Sequence, residues 1–325
     1  MSGNLLQVRG LSVEYRGRRR VRALREVDLD LQSGHSLGIV GESGCGKSTL
    51  ARAILGLVQP SAGEIRWRDW PLDPRDRLRM RDLRRELQVV FQDPFGSLDP
   101  RMTAGASVAE ALAALEGTTD RVAVRNRVAA TLDEVGLDPA LAARYPHELS
   151  GGQCQRVAIA RATIVRPQLL ICDEAVSALD VSVQAQIVNL LHDLSERHRM
   201  AMLFISHNLA VVRHLCEEVA VLYLGRVVER ALRDELFSAP RHPYTQALLA
   251  AVPEPDPVRA QRLAASVKGE EGSPAPQTDG SGCAFHPRCP LAVTRCREQR
   301  PGLETIASGH VVACHRWREV APPAW

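Results

Sequence analysis

The chain has 325 residues, 45% hydrophobic and 24% charged, with a formal charge of +3. That length exceeds one small core and suits a large α/β domain with something added, while so weak a charge argues neither for nor against nucleic acid. No apolar run approaches the roughly 20 residues of a membrane span, and Met1-Ser2-Gly3-Asn4 carries no basic-then-apolar signal, so the chain is expected in the cytosol, any membrane work falling to a partner.

Short β-rich runs at 11–15, 27–31, 37–40, 64–67 and 87–91 predict strands and turns through about residue 92. Arginines cluster at 16–22 and 66–85, read as a solvated face or a nucleotide-side loop rather than a DNA-binding patch. Leu37-Gly38-Ile39-Val40 reads as a buried strand and 47–57 as a helix. Between them Gly41-Glu42-Ser43-Gly44-Cys45-Gly46-Lys47-Ser48-Thr49 fits the phosphate-binding pattern G-x-x-x-x-G-K-[ST]. In that pattern glycines bring backbone N–H groups close to phosphate oxygens, a lysine and a hydroxyl serve the terminal phosphates and Mg²⁺, and the helix N-terminus adds partial positive charge.

From about 93 to 153 the pattern turns helical, with Ala/Leu/Val periodicity at 106–115 and 122–135. Helix and apolar strand then alternate at 158–165, 169–172, 183–197, 202–205, 209–216 and 219–224, which implies a mostly parallel sheet covered on both faces. Leu169-Leu170-Ile171-Cys172-Asp173-Glu174 is an apolar strand ending in two acids. Carboxylates there suit Mg²⁺, with Glu174 placed to polarise an attacking water. An acidic helix cap is the alternative, made remote by the phosphate loop upstream. His207 stands at the end of the 202–205 strand, where ligands of α/β sheets bind. Prolines enter at 252–257, a polar stretch follows at 268–282, and no internal repeat is present.

Leu149-Ser150-Gly151-Gly152-Gln153 resembles the signature loop of ABC ATPases. The family's other marks stand in order: Tyr15 before the phosphate loop, Gln92 at the core–helical junction, Leu169 to Glu174, the D-loop Ser177-Ala178-Leu179-Asp180, and His207. The wording at 90–102, 180–184 and 242–249 is similar to ATPase subunits of bacterial oligopeptide/dipeptide/nickel importers. The resemblance implies a RecA-like P-loop NTPase core with an N-terminal antiparallel β part, an inserted helical subdomain (about 93–153), an ATPase domain over 1–252, a linker at 253–282 and a cysteine-bearing extension at 283–325. It also implies ATP and Mg²⁺ as ligands. Tyr15 would stack on adenine, Lys47 neutralise the β/γ oxygens, Ser48 and Asp173 hold Mg²⁺, and Gln92 contact the metal or lytic water. Glu174 would act as base, and His207 would hold the γ-phosphate. Ser150, Gly151, Gly152 and Gln153 would complete the ATP site of an opposite subunit, so hydrolysis would need a dimer.

The resemblance further implies a paralogous ATPase partner, two integral membrane permease subunits and an extracytoplasmic binding protein, no nucleic acid, and a peripheral place on the cytoplasmic face of the inner membrane. The cargo would be dipeptides or oligopeptides, with nickel or another small solute as the alternative. Other classes are a soluble ABC ATPase, which usually carries two cassettes or long coiled-coil insertions, and an ATP-gated regulator, which would normally lose Glu174 or Lys47. The sequence departs from the family at Ala175-Val176 (usually Pro-Thr), Cys154 (usually a long polar residue) and Asn208 (usually Asp). No charged catalytic group is lost.

Of eight cysteines, Cys45, Cys154, Cys172 and Cys216 are scattered and read as small buried hydrophobes. Cys283, Cys289, Cys296 and Cys314 are separated by five, six and seventeen residues, without a tight C-x-x-C pair. Four thiolates suit tetrahedral Zn²⁺ or an iron–sulfur cluster, and the spacing argues against the commonest zinc knuckles. The importer resemblance implies a [4Fe–4S] cluster on these four, with Zn²⁺ or unligated thiols as alternatives. Either metal would be structural, because so short a tail lacks a core of its own.

Overall fold

Runs of apolar residues too short for helices and buried on both faces form the centre of the molecule. The computed structural model describes residues 4–17, 20–251 and 281–321. The chain opens with β1 (Asn4–Arg16) and β2 (Arg20–Gln32), then β3 (Ser36–Val40), α1 (Lys47–Ile54), β4 (Ala62–Trp67), β5 (Trp70–Pro71), α2 (Arg77–Glu86) and β6 (Leu87–Val90). Three helices follow: α3 (Ala104–Glu116), α4 (Arg121–Glu134) and α5 (Gly151–Thr163). Alternation returns with β7 (Leu169–Asp173), α6 (Val181–His198), β8 (Ala201–Ile205), α7 (Leu209–Leu215), β9 (Glu218–Tyr223), β10 (Arg226–Leu232), α8 (Arg233–Ser238) and α9 (Pro243–Ala250). The extension contributes α10 (Thr294–Glu298), β11 (Glu304–Ala307) and β12 (His310–Val312).

The first sheet is antiparallel, in the order β2-β1-β4-β5. The second has the order β11-β12-β10-β9-β3-β8-β7-β6. Its strands β9, β3, β8, β7 and β6 run parallel, and all five residues of β3, β7 and β8 are buried. Alternate residues feed two cores. Leu169, Ile171, Leu203 and Ile205 pack with α1 and the antiparallel sheet, whereas Leu170, Cys172, Met202 and Phe204 pack with α5, α6 and α7. The expected α/β class with an N-terminal antiparallel part and an inserted helical segment is present.

Several boundaries differ from expectation. The strands at 11–15 and 27–31 belong to β1 and β2, each 13 residues long. Helix α2 lies where strands and turns were expected. Asp76 caps it through Arg79 N (3.1 Å), and only Met80 and Leu83 are buried, so its arginine-rich sequence carries too few apolar residues to display a helical period. The helix expected at 158–165 begins at the signature loop instead, at Gly151, because Ser150 and Gln153 form a capping box. The proline-rich segment and nearly all of the expected linker fall outside the described residues. The tail joins the main sheet: β12 pairs antiparallel with β10, and Ala313 N donates to Val228 O at 2.8 Å. Among the described residues no helix is long and apolar enough to cross a membrane.

Candidate active site

The phosphate loop leaves β3 at its C-terminal end and returns as α1. Gly41 has φ +153° and Gly46 φ +111°. A Cβ would lie 2.2 Å from Leu222 O at Gly41 and 2.5 Å from Ala23 O at Gly46, so neither position admits another residue without backbone movement. Lys47 is 4% exposed, and its Nζ donates to Gly41 O (2.8 Å) and Glu42 O (3.1 Å). The loop's own carbonyls thus solvate a buried ammonium that otherwise would be costly.

The acidic strand end lies beside it. Ser48 Oγ donates to Asp173 Oδ1 at 2.9 Å. Burial pushes the Asp173 carboxyl up, against the opposing pull of the Ser48 bond. Glu174 has φ +53°, an uncommon conformation for a residue with a side chain. Its N–H donates to Ile205 O (3.0 Å) and its carbonyl accepts from Ser177 N (3.1 Å) and Ser177 Oγ (2.9 Å), which hold that strain in place. The Glu174 carboxylate is 4.0 Å from Lys47 Nζ and 3.8 Å from His207 Nδ1. Gln92, Lys47, Ser48, Thr49 and Glu174 line one cavity of about 1040 Å³, together with Ser43, Gly44 and Gly46 of the loop. Tyr15 is not among the lining residues but reaches one of them, its hydroxyl 3.4 Å from Thr49 Oγ1, and the residue is 38% exposed. A buried carboxyl, a hydroxyl and a loop of N–H groups are a donor set that fits a magnesium-bound triphosphate.

Residues 149–153 do not line this cavity. Ser150 Oγ accepts from Gln153 N (3.2 Å), and Gln153 Oε1 accepts from Ser150 N (2.9 Å), leaving Ser150 exposed at the start of α5. Gly152 faces α6, where a Cβ would lie 2.7 Å from Val183 Cγ1. The family departures are accommodated. Ala175 and Val176 are each 1% exposed, with Gln155 Nε2 donating to Ala175 O at 2.6 Å. Cys154 is fully buried, and Asn208 Oδ1 caps α7 through Ala210 N (3.0 Å) and Val211 N (3.4 Å), as an aspartate would.

Cys45, Cys154, Cys172 and Cys216 are buried, and burial pushes all four thiols up, as passive core residues require. The tail cysteines form a group of their own. Burial raises Cys283 and Cys289 and pushes Cys314 up to about 12, and in each case neighbouring tail cysteines push further in the same direction. Arg316 N donates to Cys314 Sγ at 3.4 Å. Among the described residues no three His, Cys, Asp or Glu side chains stand close enough to share one metal ion.

Four contributors escaped the sequence. Arg20 and Arg22 line the cavity from β2, Tyr244 Oη accepts from Glu42 N at 2.9 Å, and Arg288 binds the Glu42 carboxylate. The arginine cluster at 16–22 was the one visible hint, in its nucleotide-side alternative.

The ABC transporter family profile matches residues 24–177, and that of the oligopeptide/dipeptide transporter C-terminal region matches residues 228–296. The chain is 52% identical to a probable peptide ABC transporter ATP-binding protein of Sinorhizobium fredii, over 91% of this chain and 82% of that one. It is 48% identical to the oligopeptide transport ATP-binding protein OppF of Salmonella typhimurium, over 90% and 87%. Among solved structures, cbiO1 of Clostridium perfringens, part of the ABC transporter complex cbiONQ, superposes with TM-score 0.64 at 29% identity, over 72% of this chain and 91% of that one. The cassette MJ0796, solved as a dimer in a post-hydrolysis state with ADP and Pi, gives 0.64 at 30% identity, over 70% and 98%. The chain belongs to the ATP-binding proteins of the ABC transporter family, in its oligopeptide/dipeptide branch.

Proposed function

We propose that this protein is the ATP-hydrolysing subunit of an importer for dipeptides or oligopeptides. The observation that carries it is the meeting of Lys47, Ser48, Asp173, Glu174, Gln92 and His207 around one loop, in a chain whose relatives include an oligopeptide transport ATP-binding protein.

Each residue has a task set by its place. N–H groups of the phosphate loop, other than those of Glu42 and Cys45, which bond Tyr244 Oη and Glu42 O, join Lys47 Nζ in binding the phosphates, and Tyr15 stacks on the base. Ser48, Asp173 and Gln92 would hold Mg²⁺, which would supply positive charge to the phosphate oxygens. Glu174 orients and deprotonates the attacking water, and His207, 3.8 Å away, keeps that carboxylate aligned. Ser150, Gly151, Gly152 and Gln153 present an exposed helix N-terminus outside the chain's own cavity, which suits service to the ATP of a second cassette. The dimeric state of MJ0796 supports such an arrangement. ATP would join two cassettes and hydrolysis would part them, giving the two states that drive transport.

The partner is read as a paralogous cassette, working with two integral permease subunits and an extracytoplasmic binding protein at the cytoplasmic face of the membrane. The ATPase domain spans 1–252, the linker 253–282 and the extension 283–325. Cys283, Cys289, Cys296 and Cys314 are assigned to a [4Fe–4S] cluster on the importer resemblance and on their being four thiols in one short extension, with Zn²⁺ or unligated thiols as the alternatives.

Pull-down from a detergent extract tests the assignment: two integral membrane subunits should co-purify, and their absence, with full turnover by the isolated chain, would overturn it. Protein purified without air should be brown and lose its visible absorbance on Cys289→Ser. A colourless protein holding one zinc would overturn the cluster.

A further inference from the structure

The C-terminal extension touches the phosphate loop at Glu42. The Glu42 N–H donates to Tyr244 Oη (2.9 Å), its carbonyl accepts from Lys47 Nζ (3.1 Å), and its carboxylate takes two bonds from the Arg288 guanidinium at 3.0 and 2.9 Å. This fork-to-fork pairing is the strongest geometry open to an arginine and a carboxylate. Arg288 is no stray surface side chain. It ends the turn His286–Arg288, directly before Cys289, and its guanidinium lies 5.6 Å from the centre of the Phe285 ring. Phe285 is 3% exposed and packs at 5.4 Å against both Tyr223 and Tyr244. The arginine therefore arrives on a packed aromatic platform built jointly by the extension and the ATPase core.

The second residue of a phosphate loop is an awkward place for a carboxylate. A bound triphosphate is strongly anionic, and a negative group on the same loop repels it unless a cation compensates. Arg288 supplies that cation from 246 positions downstream. We propose that Arg288 is a positioning residue of the nucleotide site, cancelling the charge of Glu42 and holding its side chain, so that the extension tunes ATP affinity through the net charge of this pair. The proposal rests on ATP binding at the loop.

The test uses the full-length chain and titration with a fluorescent ATP analogue, with KM and kcat measured in the assembled complex. Affinity should follow the charge of the pair. Arg288→Ala leaves one uncompensated carboxylate and raises Kd about two- to fivefold, the size of a part-exposed charge interaction. Glu42→Gln leaves the guanidinium without a counter-charge and lowers Kd. The double variant returns to within about twofold of the starting protein, and Arg288→Lys stays near it. The Arg288→Ala defect shrinks as salt is raised, and it appears in KM rather than kcat, because Arg288 reaches no reacting atom.

A merely structural arginine predicts a lowered melting temperature and the same loss of affinity with or without Glu42→Gln. That pattern, or an unchanged Kd in Arg288→Ala, overturns the proposal. Should Arg288→Ala not fold, Glu42→Gln alone decides, since weaker binding there has the wrong sign. A starting protein that binds no nucleotide refutes the ATP assignment instead.

Discussion

Replacing Glu174 by glutamine keeps the shape of the site and removes one charge, so its consequences can be worked from the geometry. The carboxylate lies 4.0 Å from Lys47 Nζ. Two unit charges at that distance interact by about 4 kcal/mol at an effective dielectric of 20. Lys47 is nearly buried but the Glu174 side chain is 19% exposed, and solvent and salt reduce the coupling to about 1–2 kcal/mol. In Glu174→Gln that interaction is lost, and the Lys47 charge is freed for the phosphates. ATP should bind about five- to thirtyfold more tightly, while loss of a general base lowers kcat about 10²- to 10⁴-fold. Equilibrium titration gives the first quantity and single-turnover phosphate release gives the second. Undiminished turnover refutes the base assignment. Affinity that falls together with turnover refutes the electrostatic reasoning and makes Glu174 a binding residue.

Lys47→Ala should abolish both ATP binding and turnover, measured in the same two assays, because it removes the buried ammonium that the loop holds at the phosphates. Glu229 is fully buried and accepts from Arg241 N (2.5 Å), His242 N (2.9 Å) and His310 Nε2 (2.8 Å). Glu229→Ala orphans all three donors, including the one that pins β12 to β10. A loss of about 3–5 kcal/mol in urea denaturation and faster proteolysis of the extension are expected, and an unchanged midpoint would contradict this. Burial pushes His242 from its usual value of about 6.5 down to about 4, against a smaller upward pull from Glu229, while its Nδ1 accepts from Tyr244 N at 3.0 Å. The unfolded chain binds this proton more readily, so stability is complete above pH 6.5 and falls between pH 6.5 and 4. About 3 kcal/mol is involved, from roughly 1.4 kcal/mol per pH unit. Urea midpoints across that range, compared with His242→Gln, should show a shallower slope in the variant.

The phosphate loop was legible because its chemistry is local. Three glycines with positive φ, a lysine and a hydroxyl must occur within nine consecutive residues. The β7 strand was equally plain, as a continuous apolar run ending in Asp173 and Glu174. Helix α2 was hidden by charge, since two buried residues cannot display a period. The start of α5 was hidden because glycines disfavour helix, a preference here overridden by the Ser150–Gln153 capping box.

What the amino-acid order determined by itself was the inventory of the cassette and the succession of strands and helices, because backbone conformation and buried periodicity are written in neighbouring residues. Tertiary structure alone decided that Tyr244 and Arg288 close on Glu42 and that β12 extends the ATPase sheet through β10. Those contacts join residues up to 246 positions apart, and only packing of the finished cores brings such partners within hydrogen-bond reach.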